Sequence, residues 1–164
     1  LRALSKHFPV HFLGRCGEKP TNVPPGIEFD TRGRLKDKAS AVKAYKFVFA
    51  GENSITQDYV TEKIFHVLQT GPAVPVYIGA PNVADFVPSL DALVVATHLE
   101  PEELGALLRN VSGDAERWRS FHAWRDRPMP EHLQLLRRTA CNFGFACAMC
   151  NCVKGYAGCD RLRE

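Results

Sequence analysis

A strand–helix–strand pattern over residues 45–79 limits the folds open to this sequence more than any other feature. Residues 45–50, Tyr-Lys-Phe-Val-Phe-Ala, are rich in aromatic and β-branched side chains and predict a strand that Gly51 ends. Residues 74–78, Val-Pro-Val-Tyr-Ile, predict a second strand. Two strands joined by a helix-sized segment pair in parallel through a right-handed crossover. The pattern therefore predicts an α/β fold.

The segment between these two strands carries the signals of an amphipathic helix. We predict that Asp58 caps the helix and that it runs to about Gln69. Gly71 and Pro72 then stand in the order expected just beyond a helix end. The apolar residues fall at i, i+4, i+7 and i+8, which gives one stripe of Val60, Ile64, Val67 and Leu68. That stripe is expected to pack on the sheet.

The remaining segments continue the alternation of strands and helices. Residues 10–13 and 93–96 predict further strands, and helices are predicted over residues 36–44, from Pro101, over residues 114–125 and over residues 131–139. This order predicts a doubly wound parallel sheet of the Rossmann-like kind. We expect one domain over residues 1–140 and a Cys-rich tail, residues 141–164, packed on it.

Composition and charge exclude several classes of protein. The 164 residues are 45% hydrophobic and 24% charged, which suits one globular domain and excludes a disordered chain. The net charge of +3 is too small, and the basic residues too scattered, to predict nucleic-acid binding. No apolar run reaches the roughly 18 residues that a membrane span needs. Because the sequence starts at Leu1, we expect a piece of a longer protein, with any targeting segment outside it.

Cysteine use favours an oxidising compartment. The six cysteines are Cys16, Cys141, Cys147, Cys150, Cys152 and Cys159. All except Cys16 lie in the last quarter of the chain. An even, clustered set predicts disulfides, although their pairing stays open because six cysteines allow 15 connectivities. The competing interpretation is a zinc site on Cys147 and Cys150, which lacks a well-spaced second pair of ligands. Asn110 begins an Asn-Val-Ser sequence that predicts N-glycosylation, consistent with the same compartment.

Candidate site residues follow the first two strands of the crossover. In an open parallel sheet the ligand binds beyond the carboxyl ends of the strands, here residues 51–58 and 79–82. The N-terminus of the intervening helix faces the same crevice and favours an anion. Lys63 offers a cation for a diphosphate and Glu62 an acceptor for sugar hydroxyls. Asn53 and Tyr59 add polar contacts, which predicts a nucleotide-sugar site; a P-loop sequence is absent.

Each of these residues has an ordinary structural interpretation as well. A Glu-Lys pair early in a helix commonly forms a solvated face, which is the alternative for Glu62 and Lys63. Tyr59 can serve packing, and Asn53 is a frequent turn former. Taken singly, none of them predicts a function.

Three segments together resemble the signature of the α-1,3-fucosyltransferases of glycosyltransferase family 10. They are residues 45–54 (YKFVFAGENS), 58–63 (DYVTEK) and 74–82 (VPVYIGAPN), and the likeness extends over about residues 1–152. The Gly-Arg-Cys at residues 14–16 and the Cys-Ala-Met-Cys at residues 147–150 resemble the plant and algal core-type enzymes, which fucosylate N-glycans.

The resemblance implies a fold and a set of binding residues. The family folds as two Rossmann-like domains of the GT-B type, and this chain resembles the C-terminal domain, which holds GDP-fucose. Asn53, Tyr59, Glu62 and Lys63 match positions that contact the donor, Glu52 belongs to the same segment, and Asn82 is expected to border the donor pocket. No cofactor or metal is implied. One departure is Gly51, where the family usually has Phe.

The resemblance also implies a reaction. Fucose would pass from GDP-fucose to a GlcNAc hydroxyl of a glycoprotein glycan, with inversion at the anomeric carbon. The catalytic base is a carboxylate in an N-terminal acceptor domain, so we expect this chain alone to bind the donor and transfer little. The intact protein would be a type II membrane protein of the Golgi lumen, anchored ahead of the missing domain. The alternative is a non-catalytic lumenal module that binds nucleotide sugars.

Overall fold

A computed structural model of the chain describes residues 1–14 and 20–134. The chain divides into two compact units, Leu1–Arg127 and Pro128–Glu164, and every element with defined bounds lies in the first. In the second unit, residues 131–134 are helical, in agreement with the start of the last predicted helix. Among the described residues, no helix is both long and apolar enough to cross a membrane.

Three parallel strands form the sheet. They are β1 (Phe47–Gly51), β2 (Val74–Ile78) and β3 (Val94–Val95), and they lie in the order β1-β2-β3. Phe47 of β1 is paired with Val74 of β2, and Val76 of β2 with Val94 of β3. The three central strand predictions are confirmed, each within two residues at either end.

In the described residues, four α-helices have defined bounds: α1 (Lys38–Ala44), α2 (Glu62–Thr70), α3 (Pro101–Gly113) and α4 (Ala115–Ser120). Asp37 caps α1 by accepting from the N–H groups of Ala39 and Ser40, and Asp114 caps α4 in the same way. At the start of α3, the Glu100 N–H donates to Glu103 Oε2 over 3.1 Å in a capping box. The helix predictions for residues 36–44 and from Pro101 are confirmed.

Apolar side chains cover both faces of the sheet, as a parallel sheet requires. On one face Tyr77, Ala50 and Leu93 pack with Ile64, Val67 and Leu68 of α2. On the other face Val74, Val76 and Val94 pack with Leu104 and Leu108 of α3. Residues alternate between the two cores along β2, because successive strand side chains point to opposite faces. The predicted α2 stripe is confirmed in its three helical members.

The predicted helix start at Asp58 is wrong. The helix begins at Glu62, and its N-cap residue is Thr61, three residues after the predicted cap. Asp58 adopts a left-handed conformation, with φ of 62°, and its amide N–H donates to Asn82 Oδ1. A long-range partner therefore holds Asp58 in a loop, where sequence spacing alone indicated a cap.

Two further predictions need correction. Residues 10–13 form no strand; the ring of His11 instead packs edge-on against Tyr45, and its Nδ1 lies 2.8 Å from the Tyr45 hydroxyl. Alternating apolar residues indicated an extended, half-buried segment but did not supply a pairing partner. The helix predicted over residues 114–125 ends at Ser120, and a 3₁₀ turn (Ala123–Asp126) follows. That turn lets Arg125 donate to the Leu68 and Gly71 carbonyls at the end of α2.

Candidate functional site

The exits of β1 and β2 lie side by side at the carboxyl edge of the sheet. The Glu52 N–H donates to the Ile78 carbonyl over 2.8 Å, which extends the ladder by one residue. The chain then leaves β1 through an exit loop, residues 53–60, before it enters α2 at Thr61. The β2 exit, residues 79–82, faces this loop. The two segments predicted to bear the site are therefore adjacent.

A buried carboxylate organises the base of the exit loop. Glu52 Oε1 accepts from the Thr61 N–H over 2.8 Å, and Glu52 Oε2 accepts from the Thr61 hydroxyl over 2.7 Å. The Lys63 ammonium donates to Glu52 Oε2 and to Thr61 Oγ1, each over 2.9 Å. The Glu52 side chain is fully buried, whereas 31% of the Lys63 side chain is exposed. Glu52 thus fixes Lys63 from below and leaves part of it open to solvent.

The ionisation of the pair follows from these contacts. Burial acts to raise the pKa of Glu52, but the Thr61 hydrogen bonds and the Lys63 ammonium together hold that pKa below its ordinary 4.5. The hydrogen bond to Glu52 raises the pKa of Lys63 above its ordinary 10.5, against the opposing effect of desolvation. Both groups are therefore charged at neutral pH.

Close packing leaves Glu52 no room to move. A Cβ at Gly79 would lie 2.4 Å from the Tyr77 hydroxyl and 2.7 Å from Glu52 Cγ. Tyr77 is fully buried, and its hydroxyl accepts from the Ala80 N–H over 3.0 Å. Gly79 is therefore required by close approach, and it allows the β2 exit to lie against the carboxylate.

The tip of the exit loop is tied to the β2 exit by a second set of contacts. The Asp58 N–H donates to Asn82 Oδ1 over 3.0 Å, and Asn82 Nδ2 donates back to Asp58 Oδ1 over 2.8 Å. Asn82 Nδ2 also donates to Asp85 Oδ2 over 3.1 Å. The loop is consequently closed at its base and held at its tip.

The N-terminus of α2 is open. Thr61 makes no side-chain capping bond, and no side chain of the described residues accepts from the first-turn N–H groups of Glu62, Lys63 and Ile64. Glu62 is exposed at the first helical position, beside Lys63. These N–H groups and the positive end of the helix dipole lie next to the partly exposed Lys63 side chain. Together they suit an anion.

The structure brings the predicted site residues together around this helix start. Asn53 and Tyr59 lie exposed on the exit loop, and Tyr59 exposes 38% of its surface. Glu62 and Lys63 also line a cavity of about 930 Å³ that extends along β1. Phe49 lines the same cavity, and its ring lies over Gly51, where a Cβ would approach it to 2.4 Å. Glu52 bonds Thr61 and Lys63 from the buried side. Asn82 bonds Asp58, the residue before Tyr59.

Sequence reasoning did not assign several residues on which the site depends. Thr61 and Tyr77 bond the carboxylate and the β2 exit, yet neither stands in a pattern that marks such a role. Gly79 carried a usable signal, since a Gly directly after a strand often permits a close approach. The six cysteines and the disulfides predicted for them lie outside the described residues. Asn110 lies exposed on α3, and its side chain accepts from Arg117.

An α/β domain with an uncapped helix start and a partly exposed lysine at its strand ends is the class of protein that this fold and geometry define. A family model narrows the class: the C-terminal domain of glycosyltransferase family 10 (fucosyltransferase) matches residues 1–160. The chain belongs to this family, and the predicted resemblance is confirmed.

Individual relatives agree with the family match. The chain is 41% identical to an alpha-(1,4)-fucosyltransferase of Arabidopsis thaliana over 133 residues, or 76% of this chain and 33% of that protein. It is 32% identical over 127 residues to GDP-fucose protein O-fucosyltransferase 3 of Bos taurus, or 76% of this chain and 26% of that protein. The chain thus spans a quarter to a third of the length of these relatives.

A solved structure supports the fold. The crystal structure of an alpha1,3-fucosyltransferase superposes with a TM-score of 0.58 and 23% identity. The superposition covers 73% of this chain and 31% of that one. The predicted α/β architecture, a domain of a GT-B glycosyltransferase, is confirmed.

Proposed function

We propose that this chain is the donor-binding domain of a fucosyltransferase and that it holds GDP-fucose at the start of α2. The observation that carries the proposal is the partly exposed Lys63 side chain, whose ammonium is fixed by buried Glu52 beside an uncapped helix N-terminus. Membership of the family supplies the donor class. A nucleoside diphosphate carries the negative charge that a lysine beside an uncapped helix N-terminus binds.

The proposed role of Lys63 is to neutralise the diphosphate, both in the bound donor and in the departing GDP. When the bond to the fucose anomeric carbon breaks, negative charge grows on the β-phosphate. A fixed ammonium and the first-turn N–H groups of α2 stabilise that charge without reorganising. Because Glu52 and Thr61 already orient Lys63, little of its binding energy is lost in ordering the side chain. This chemistry requires no metal or other cofactor.

Other side chains would recognise the rest of the donor. Glu62, exposed beside Lys63, is proposed to accept hydrogen bonds from fucose hydroxyls. Asn53 and Tyr59 on the exit loop add an amide and a ring with a hydroxyl. Glu52 is assigned a supporting role, because its two oxygens already accept three hydrogen bonds and its side chain is buried.

The acceptor and the linkage are assigned on the sequence resemblance. We propose transfer with inversion to a GlcNAc hydroxyl of a glycoprotein glycan in α-1,3 linkage. The two relatives carry different names, alpha-(1,4)-fucosyltransferase and protein O-fucosyltransferase, which fits a shared donor domain and an acceptor chosen elsewhere. An N-terminal acceptor domain would supply the base that removes the hydroxyl proton. The chain alone would then bind the donor without appreciable transfer.

The cellular setting is proposed on the same basis. The intact enzyme would work in the Golgi lumen, as a type II membrane protein anchored ahead of the acceptor domain. Disulfides among the six cysteines and a glycan on Asn110 fit that compartment. Counting free thiols on the unreduced chain tests this point, since six reactive thiols would contradict it.

Calorimetric titration of the 164-residue chain with GDP, and with UDP as the competing nucleotide, tests the proposal. We expect selective GDP binding that Lys63→Ala weakens by at least about tenfold, because a charge-assisted contact to the diphosphate is lost. Lys36→Ala is the matched control, since Lys36 pairs with Glu28 in an exposed ion pair and does not line the cavity. Equal affinity in the parent and Lys63→Ala chains would contradict the role of Lys63.

A transfer assay on the chain joined to an acceptor domain separates the enzyme from the alternative, a non-catalytic lumenal module. A chain that binds GDP, and transfers fucose once joined to an acceptor domain carrying a base, supports the fucosyltransferase. A chain that binds GDP but never supports transfer in that joined form supports the non-catalytic lumenal module.

A further inference from the structure

The exit loop is held at its base and again at Asp58, three positions before Thr61. At its base, Glu52 joins Thr61 across nine positions of the sequence. Near its tip, Asp58 joins Asn82, which stands 24 positions away at the exit of the neighbouring strand. Between these anchors the side chains of residues 53–59 are exposed. A loop fixed at both ends yet exposed along its length presents its side chains outward in one arrangement.

The protein itself takes three of the four hydrogen-bonding positions of the Asn82 side-chain amide, including both of its donors. Its Oδ1 accepts from the Asp58 N–H. The two hydrogens of its Nδ2 go to Asp58 Oδ1 and to Asp85 Oδ2. These are the bonds that an amide side chain of this geometry makes when it joins two loops. The side chain is therefore used by the protein itself.

Asp58 is the residue that needs such a partner. Its φ of 62° makes it the one residue other than glycine with a positive φ among the described residues. Aspartate tolerates this region better than most residues but still prefers negative φ. Two hydrogen bonds from one side chain offset that preference, and they fix the backbone directly before Tyr59.

We propose that Asn82 is a positioning residue for the nucleotide-sugar donor: with Asp58 it clamps the exit loop so that Tyr59 faces the ligand before it arrives. The inference rests on the proposed function and adds to it. The sequence resemblance places Asn82 at the border of the donor pocket, whereas the geometry assigns it an indirect role. Releasing the clamp would let Asp58 return to negative φ and turn Tyr59 away.

Three variants of the 164-residue chain, titrated with GDP, test the clamp. Asn82→Ala removes both bonds to Asp58, and we expect about tenfold weaker binding, because ordering roughly one released backbone residue costs about that factor. Asp85→Ala is the matched control, since it removes only the third bond of Asn82 and leaves the clamp intact; its affinity should equal that of the parent.

A swapped pair supplies the readout that a general loss of structure would not move. Asn82→Asp is made in the Asp85→Ala chain, because the new carboxylate would otherwise also meet Asp85. There it places a carboxylate against the Asp58 carboxylate, and we expect the same loss of affinity as in Asn82→Ala. Adding Asp58→Asn to that chain restores an amide opposite a carboxylate, with donor and acceptor exchanged, and should recover most of the binding. Thermal midpoints measured alongside should stay close to that of the parent, because the clamp is at the surface.

The outcomes separate the two claims. Parent-like GDP affinity in Asn82→Ala, or a swapped pair that stays as weak as Asn82→Asp, would overturn the clamp and leave the proposed function standing. An absence of GDP binding in the parent chain itself would overturn the proposed function, and the clamp with it. Loss in Asn82→Ala with recovery in the swapped pair would establish the positioning role.

Discussion

The N-termini of α2 and α3 differ in how far the protein itself satisfies them. Both helices carry an acidic residue in the first turn, so the difference lies in the cap. At α3, Glu100 and Glu103 form a capping box. At α2, Thr61 turns its hydroxyl to Glu52 and caps nothing, while Lys63 brings a cation to the positive end of the helix. A helix start built for stability alone would resemble α3. The start of α2 lacks a side-chain cap, which suits the anionic ligand proposed above.

The two other α-helices that have defined bounds, α1 and α4, agree with α3. Asp37 caps α1 and Asp114 caps α4, each through two backbone N–H groups. The anionic partner of α2, Glu52, is instead placed under Lys63 and engages the Thr61 N–H outside the first turn. The contrast teaches that a missing cap beside a fixed cation is a stronger sign of a binding site than a helix N-terminus alone.

A methyl group added below the start of α2 should destabilise the fold far more than one added beside it. Gly79→Ala drives a methyl group into the buried Tyr77 hydroxyl and Glu52 Cγ, and we expect a loss of about 3 kcal/mol in unfolding free energy. Gly51→Ala is the matched control: its Cβ meets the Phe49 ring equally closely, but that ring is 40% exposed and can turn away. Urea denaturation of both variants measures the difference. Equal losses would show that the β2 exit can relax and that Glu52 is not rigidly held.

The capped helix should respond in stability and not in binding. Glu103→Ala removes the acceptor for the Glu100 N–H, and we expect about 1 kcal/mol of lost stability from the broken capping box. GDP affinity should be unchanged, because α3 contributes no predicted donor contact. Chemical denaturation and titration of the same sample provide both values. A drop in GDP affinity would remove the distinction drawn between the two helices.

The smallest expected effect is a pH dependence that belongs to Glu52. Its folded pKa lies below the unfolded value of 4.5, so its contribution is complete above 4.5 and is lost as pH falls through the folded pKa. Glu52→Gln removes that contribution, so the stability gap between parent and variant should narrow steadily below pH 4.5. Surface carboxylates such as Asp30 and Asp114 also have lowered pKa values, but they titrate equally in both chains. A gap that stays constant with pH would contradict an ionised, stabilising Glu52.

Local sequence patterns predicted most of the fold because the elements of the crossover are themselves local. Residues 45–50 and 74–78 carried strand signals strong enough to place β1 and β2 within two residues. The start of α2 was missed, because a side chain 24 positions away, Asn82, decides the conformation of Asp58. Residues 10–13 were missed for the related reason that a strand also needs a partner, which periodicity does not specify.

The candidate site was likewise predicted only in part. Lys63, Glu62, Asn53 and Tyr59 were assigned from the strand-end rule and the sequence resemblance, and the structure gathers them around one helix start. The division of labour among them was not predictable. Glu52 is buried and fully hydrogen-bonded, and Asn82 joins the exit loop to the β2 exit. Both arrangements depend on contacts between distant segments, which sequence spacing does not specify.

The most direct test of the account is the difference in affinity between GDP and guanosine, measured by calorimetry in the parent chain and in Lys63→Ala. We expect the parent to bind GDP much more tightly than guanosine, because the start of α2 and Lys63 are proposed to contact the diphosphate. In Lys63→Ala that difference should shrink by at least about tenfold while guanosine affinity stays the same. A difference that is equally large in both chains would contradict the central claim that Lys63 and the uncapped α2 form the diphosphate site.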